Sequence, residues 1–287
     1  MSFLSIRDLS ARAGALPILR RVSLDVSAGE VHALVGESGA GKSMIGKAVL
    51  GTLPEAIRVT EGLILLDGED LLAMPGKARR RIVGAKAALI PQDPLTALNP
   101  ARRVGRQISD RLVDILGWDR DAARKRVIEL LDEVHIADAQ RVVRAYPHEL
   151  SGGMRQRILI ASAFAAEPKL IIADEPTTAL DVTVQKQILR LIKEMQSRHG
   201  TALLFVTHDL GVVSKLCQTM SVLYGGMVLE DTSVEAFFKH PGHPYSAALL
   251  AATPKYTDPQ SSLMPVPDAV IQAVRAEIAA FERGMAP

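Results

Sequence analysis

The chain has 287 residues, 48% of them hydrophobic, with 34 Lys+Arg against 32 Asp+Glu and a formal charge of +2. That length buries a full core with room for a short appendage, and the near-neutral balance argues against wrapping nucleic acid. The lone Cys217 excludes an internal disulfide, there is no charged-then-apolar secretion signal, and the longest apolar candidate, Ile158 to Ala173, is broken by Glu167, Pro168 and Lys169. A soluble, intracellular protein is expected, with any membrane role coming through partners.

Residues 3–35 read as β-rich: Phe3–Ile6, then Val22–Val26 with alternating polarity, then the apolar run Val31–Val35. That run leads into Gly36-Glu-Ser-Gly-Ala-Gly-Lys-Ser43, which fits G-x-x-x-x-G-K-[ST], the phosphate-binding loop of nucleotide triphosphatases. A helix is predicted directly after it, over Met44–Leu50. Gly36, Gly39 and Gly41 let the backbone curl, so that N–H groups across Glu37, Ser38 and Ala40 turn toward phosphate oxygens beside a helix N-terminus. Lys42 then reaches the β- and γ-phosphates of ATP, and the Ser43 hydroxyl is placed to ligate Mg²⁺.

Gly62–Gly68 predicts a further strand closed by a turn, and Ala87–Ile90 a buried strand that delivers Gln92 at its end. From about 94 to 157 the pattern turns helical, with Val127, Leu130, Leu131 and Val134 at helical spacing within Ala122–Val134. Beyond 158, strand and helix alternate: Leu170–Ala173, Val184–Arg198, Ala202–Val206, Asp209–Cys217. Such alternation implies an α/β fold with a mostly parallel, covered sheet. Ligands of such sheets gather at the carboxyl ends of strands, where Gly36, Gln92, Asp174 and His208 would converge. The basic clusters Lys77–Arg81 and Arg102, Arg103, Arg106 read as solvated helix faces, with an anionic lipid or partner surface as the alternative. His240 and His243, each beside a proline and without acidic or thiol companions, favour a docking turn over a metal pair. An amphipathic helix over Asp268–Arg283 ends the chain's organisation, with Ala269, Ile271, Val274, Ile278 and Phe281 as its apolar residues.

One segment turns a generic nucleotide site into a family resemblance. Leu150-Ser-Gly-Gly-Met-Arg-Gln156 closely resembles the signature of ATP-binding-cassette (ABC) ATPases. Leu170-Ile-Ile-Ala-Asp-Glu-Pro176 follows, then Ala179-Leu180-Asp181, then His208 within Phe205–Asp209. Loop, Gln92, signature, paired acids and histidine occur in the order and rough spacing of an ABC nucleotide-binding domain, over about residues 3–235. The resemblance implies a P-loop NTPase (RecA-like) core with an N-terminal β-subdomain and an α-helical signature subdomain at about 94–157. It puts that domain at 1–235 and a short C-terminal extension at 236–287. It also implies roles. Asp174 holds Mg²⁺ through a water, Glu175 is the general base, His208 contacts the γ-phosphate, and Gln92 joins the metal or water shell while sensing a partner. Ser151, Gly152 and Gly153 cover the nucleotide held by a second cassette paired head to tail, with Asp181 at that interface.

Gln92–Pro100 and Lys239–Leu250 look like the dipeptide/oligopeptide/nickel import branch, and His208–Val213 is similar to the D-type member of its paired ATPases. What this implies is an ATP-hydrolysing subunit at the cytoplasmic face of the inner membrane. Its partners would be two transmembrane permease subunits, a second ABC ATPase and, indirectly, an extracytoplasmic solute-binding protein, with no nucleic acid. Peptides are the first choice of cargo and a nickel chelate the second; a soluble non-transport ABC ATPase and a nucleotide-gated scaffold are the competing classes. Two departures stand out. Ala13 occupies the stretch where many members stack adenine on an aromatic ring, and 236–287 lacks the cysteines needed for an iron–sulfur centre.

Overall fold

The computed structural model describes residues 2–178, 180–253 and 265–284. Its strands are β1 (Ser2–Ala13), β2 (Leu16–Ser27), β3 (Val31–Gly36), β4 (Ile57–Leu66), β5 (Glu69–Asp70), β6 (Ala87–Ile90), β7 (Leu170–Asp174), β8 (Ala202–Thr207), β9 (Thr219–Tyr224) and β10 (Met227–Ser233). The first helices are α1 (Lys42–Leu50), α2 (Gly76–Lys86), α3 (Pro94–Ala97), α4 (Val104–Asp110), α5 (Arg120–Glu133) and α6 (Ala139–Val142). They are followed by α7 (Gly152–Phe164), α8 (Val182–His199), α9 (Leu210–Leu216), α10 (Val234–Lys239), α11 (Pro244–Ala252) and α12 (Asp268–Glu282). The chain divides into two compact units, one of Ser27–Glu30 and Ala73–Phe205, the other of Ser2–Val26, Val31–Leu72 and Val206–Pro287.

The second of these units holds the order β2-β1-β4-β5, in which β4 runs antiparallel to both β1 and β5. It also holds β3, paired in parallel with β9, which is in turn antiparallel to β10. Every residue of β3 is buried, which is why Val31–Val35 reads as an apolar run rather than an alternation. The exception in that run is His32, 1% exposed, whose two ring nitrogens pair with Thr219 Oγ1 and Ser221 Oγ, each at 2.8 Å. Those partners remove most of the cost of burying an imidazole.

In the first unit, β6 runs parallel to β7 with Ile90 opposite Ala173, and β8 lies on the other side of β7. The helical stretch α3–α7 is tied to the base of β6 by one side chain. Arg111, in a π-helical turn over Arg111–Ile115, donates 2.7 Å hydrogen bonds to the Gly84 and Ala87 carbonyls. Burial lowers the pKa of its guanidinium below the ordinary value.

The segment around His243 forms a turn, and the histidine does have acidic companions there, Glu230 and Glu277. The Glu230 carboxylate accepts from the Gly242 and His243 N–H groups, and His243 Nδ1 caps α11 by accepting from the Tyr245 N–H at 3.1 Å. That acceptor role leaves the proton on Nε2, which points at Glu277 Oε2 of α12, 3.3 Å away. Among the described residues no group of three or more His, Cys, Asp or Glu is arranged for a metal, and no helix is long and apolar enough to cross a membrane.

Candidate nucleotide site

The phosphate-loop sequence occupies the bend between β3 and α1 in the second unit. Gly41, at φ 98°, ends the loop; a Cβ there would come within 3.0 Å of Leu19 Cδ2, so a larger residue would be both strained and crowded. Lys42 is 5% exposed, and its ammonium donates to the Gly36 carbonyl at 2.7 Å and the Glu37 carbonyl at 2.9 Å. A cation is thereby held inside the curl. Among the described residues no side chain caps α1, and its first turn carries no acid. By contrast, α5, α8 and α9 begin on Asp119, Asp181 and Asp209, each accepting backbone N–H bonds. The start of α1 is therefore a positive helix end with a buried lysine beside it. Its chemistry suits phosphate.

The acids lie in the first unit. Asp174 ends β7, and Gln92 follows β6 by two residues, so the parallel register of Ile90 with Ala173 brings both to the same edge of the strand pair. Glu175 comes next, half-buried, with φ 46°. A left-handed glutamate is uncommon, and such backbone strain clusters where a side chain has to be aimed. Its carboxylate accepts a 2.9 Å hydrogen bond from the Thr178 hydroxyl. Oxygen donors of this kind are the hard ligands that Mg²⁺ takes.

Ser151 caps α7, its Oγ accepting from the Met154 N–H at 3.3 Å. Gly152 faces open space, with nothing within 4 Å of where a Cβ would stand, whereas Gly153 lies against Val184. Asp181 caps α8 through the Thr183 and Val184 N–H groups, each at 3.0 Å. Ala179, quoted beside it in the sequence, lies outside the described residues. His208 is exposed in the second unit, fixed between Thr207, whose hydroxyl accepts from the Asp209 N–H, and Asp209, which caps α9. Two contributors carry no obvious signal in the sequence. Thr178 sits among ordinary loop residues, and Gln156, read only as the end of the signature, is 1% exposed and donates a 2.8 Å bond to the Pro176 carbonyl. That bond ties the signature helix to the loop behind the acids.

The sequence model of a family described as ABC transporter matches residues 19–178, more than half of the chain. The chain is 47% identical over 258 residues to a probable D,D-dipeptide transport ATP-binding protein of Escherichia coli, covering 90% of this chain and 79% of that one. It is 42% identical to the dipeptide transport ATP-binding protein of Haemophilus influenzae, covering 92% and 81%. Among solved structures it resembles CbiO1 of Clostridium perfringens, described as part of an ABC transporter complex, with TM-score 0.73 and 28% identity over 83% of this chain and 91% of that one. A dimeric ATP-binding cassette in a post-hydrolysis state with ADP and Pi gives TM-score 0.70 and 26% identity over 80% and 98%. A glycine-rich phosphate loop around a buried lysine, a strained glutamate after an apolar strand, a serine-capped signature helix and this breadth of similarity have one reading: the chain belongs to the ABC transporter family.

Proposed function

We propose that this chain is the ATP-binding and ATP-hydrolysing subunit of an importer for di- and oligopeptides, a peripheral protein on the cytoplasmic face of the membrane. The observation that carries the nucleotide reading is the glycine-rich loop between β3 and α1, which curls around the buried Lys42 ammonium and holds it beside a helix N-terminus. The peptide reading rests on the transport proteins to which the chain is 42–47% identical over most of its length. Residues 1–235 are the nucleotide-binding domain and 236–287 an extension of it.

Each residue has a chemical task in this reading. The amides of Gly36 to Ser43 and the Lys42 ammonium bind the phosphates and offset their charge. Ser43, Gln92 and Asp174 would hold Mg²⁺, which neutralises charge on the β- and γ-oxygens when bound. Glu175 takes a proton from the attacking water, and its aim is fixed by the left-handed backbone and by Thr178. His208 contacts the γ-phosphate. Ser151, Gly152 and Gly153, at the start of α7 where Gly152 faces open space, meet the nucleotide of a second cassette, with Asp181 at that interface. Two permease subunits and an extracytoplasmic solute-binding protein complete the importer.

The test is reconstitution with the permeases and a second cassette in proteoliposomes. Mg²⁺-dependent ATP hydrolysis should rise with peptide-loaded binding protein, and peptide should accumulate. Absence of hydrolysis rejects the ATPase reading; hydrolysis without peptide accumulation rejects the cargo.

A further inference from the structure

We infer that Glu282 of α12 is a positioning residue for the phosphate loop, acting through Arg20 and the Gly225–Gly226 turn. The inference rests on the nucleotide reading above and extends it to the far end of the chain. Arg20 of β2 points its guanidinium at α12, where Nε and Nη2 lie 2.8 and 2.7 Å from Glu282 Oε1. Its Nη1 donates to the Gly225 carbonyl. The backbone continues the path: the Arg20 N–H donates to the Gly226 carbonyl at 2.8 Å, and the Gly226 N–H donates to the Ala40 carbonyl at 2.9 Å. An unbroken run of hydrogen bonds thus joins α12 to the middle of the phosphate loop.

Three further observations give this path its meaning. Gly226, at φ 79°, has the Ile18 carbonyl where its Cβ would be, 2.2 Å away, so the turn is wedged against β2 and moves with it. Glu282 stands in the last turn of α12, which carries no basic residue; an acid there is unfavourable for the helix itself, and Arg20 is what offsets it. Ile278, one of two buried apolar side chains of α12, reaches the same turn, with its Cδ1 2.8 Å from where a Cβ on Gly225 would stand.

The neighbouring helix reaches the loop from another side. Tyr245 of α11 is fully buried beneath Tyr224, with ring centroids 5.0 Å apart. Burial and the nearby Glu37 carboxylate both raise its phenol pKa. Between α12 and the loop lies a cavity of about 350 Å³ bordered by Glu37, Ser38, Arg275 and Ile278. The loop is therefore not packed solid against α12. Its position depends on the hydrogen-bonded path, and loosening α12 should cost nucleotide affinity rather than the chemical step.

The test uses the full chain and a fluorescent ATP analogue. Glu282→Gln should weaken the nucleotide Kd about three-fold, and Ile278→Ser with Glu282→Gln about ten-fold, as expected for one partly exposed ion pair and then the helix contact as well. KM should follow Kd while kcat stays within about two-fold, and Glu282→Asp should recover part of the loss. Amide exchange at residues 37–40 and at Gly226 should rise together with that of α12. An unchanged Kd in a double variant whose α12 exchanges freely overturns the inference, as does a fall in kcat at constant KM. If the double variant does not fold, Glu282→Gln alone decides the matter by the same readouts. Lys42→Ala separates the two layers: wild-type affinity in that variant sinks the nucleotide reading itself, whereas lost affinity there with none lost in the Glu282 variants sinks only this inference.

Discussion

The Thr178 hydroxyl donates to the Glu175 carboxylate at 2.9 Å, across a turn in which Glu175 holds φ 46°. The hydrogen bond and the backbone together restrict a side chain that would otherwise sweep freely at a strand end. Glu175→Gln preserves shape and the acceptor oxygen but abolishes the base. Turnover should fall about 100-fold or more while ATP affinity is retained, read by phosphate release and nucleotide titration. Hydrolysis at the normal rate would reassign the base.

Lys42→Ala should abolish measurable nucleotide binding in the micromolar range. The Gly36 and Glu37 carbonyls also lose their donor, so a stability loss of about 1 kcal/mol is expected alongside. A denaturation curve separates that small loss from the large one in binding.

Gln156→Leu keeps the volume in the core and removes the donor to Pro176, leaving a buried carbonyl without its partner. The expected cost is about 1–3 kcal/mol, seen as a lower melting temperature. Turnover should drop as well, because the tether behind Asp174 and Glu175 is gone. Wild-type turnover in this variant would show that the tether serves stability alone.

Cys217 is buried, and desolvation pushes its thiol pKa up to about 12. The folded protein should resist alkylation at pH 8 and react fully once denatured. Because the unfolded chain releases this proton first, the thiol lowers stability as pH rises from the ordinary thiol range toward about 12, and has no effect below it. Cys217→Ala should remove that part of the alkaline loss.

Ala13 closes β1 at a hairpin where no aromatic side chain is available from the same position. Stacking on a base contributes about 1–3 kcal/mol where it occurs. GTP should therefore bind within about ten-fold of ATP, measured by competition. A strong preference for ATP would show that other groups read the base.

Much of the architecture is legible in the sequence because it is local. The run Val31–Val35, the loop glycines, Leu170–Ala173 before two acids and the spacing of Val127, Leu130, Leu131 and Val134 each declare an element and its buried side. What escapes is the partner of a face. The apolar residues of Asp268–Arg283 predict a helix, but nothing near them names Arg20, 262 residues earlier, as the group that receives Glu282. Arg111 is similar: a charged residue in a helical stretch reads as solvent-facing until the carbonyls of Gly84 and Ala87 are seen to enclose it. The left-handed backbone of Glu175 leaves no trace in composition, since glutamate carries no marker for it.

The pairing of His32 with Thr219 has a cost in time. Those residues are 187 positions apart, so β3 leaves the ribosome long before the strand that completes its side. At about 5–20 residues per second the wait is roughly 10–40 s. Through that interval a greasy six-residue segment has no β9 to lie against. Newly made chains should lean on a holding chaperone during this window, and products truncated before Thr219 should aggregate rather than accumulate.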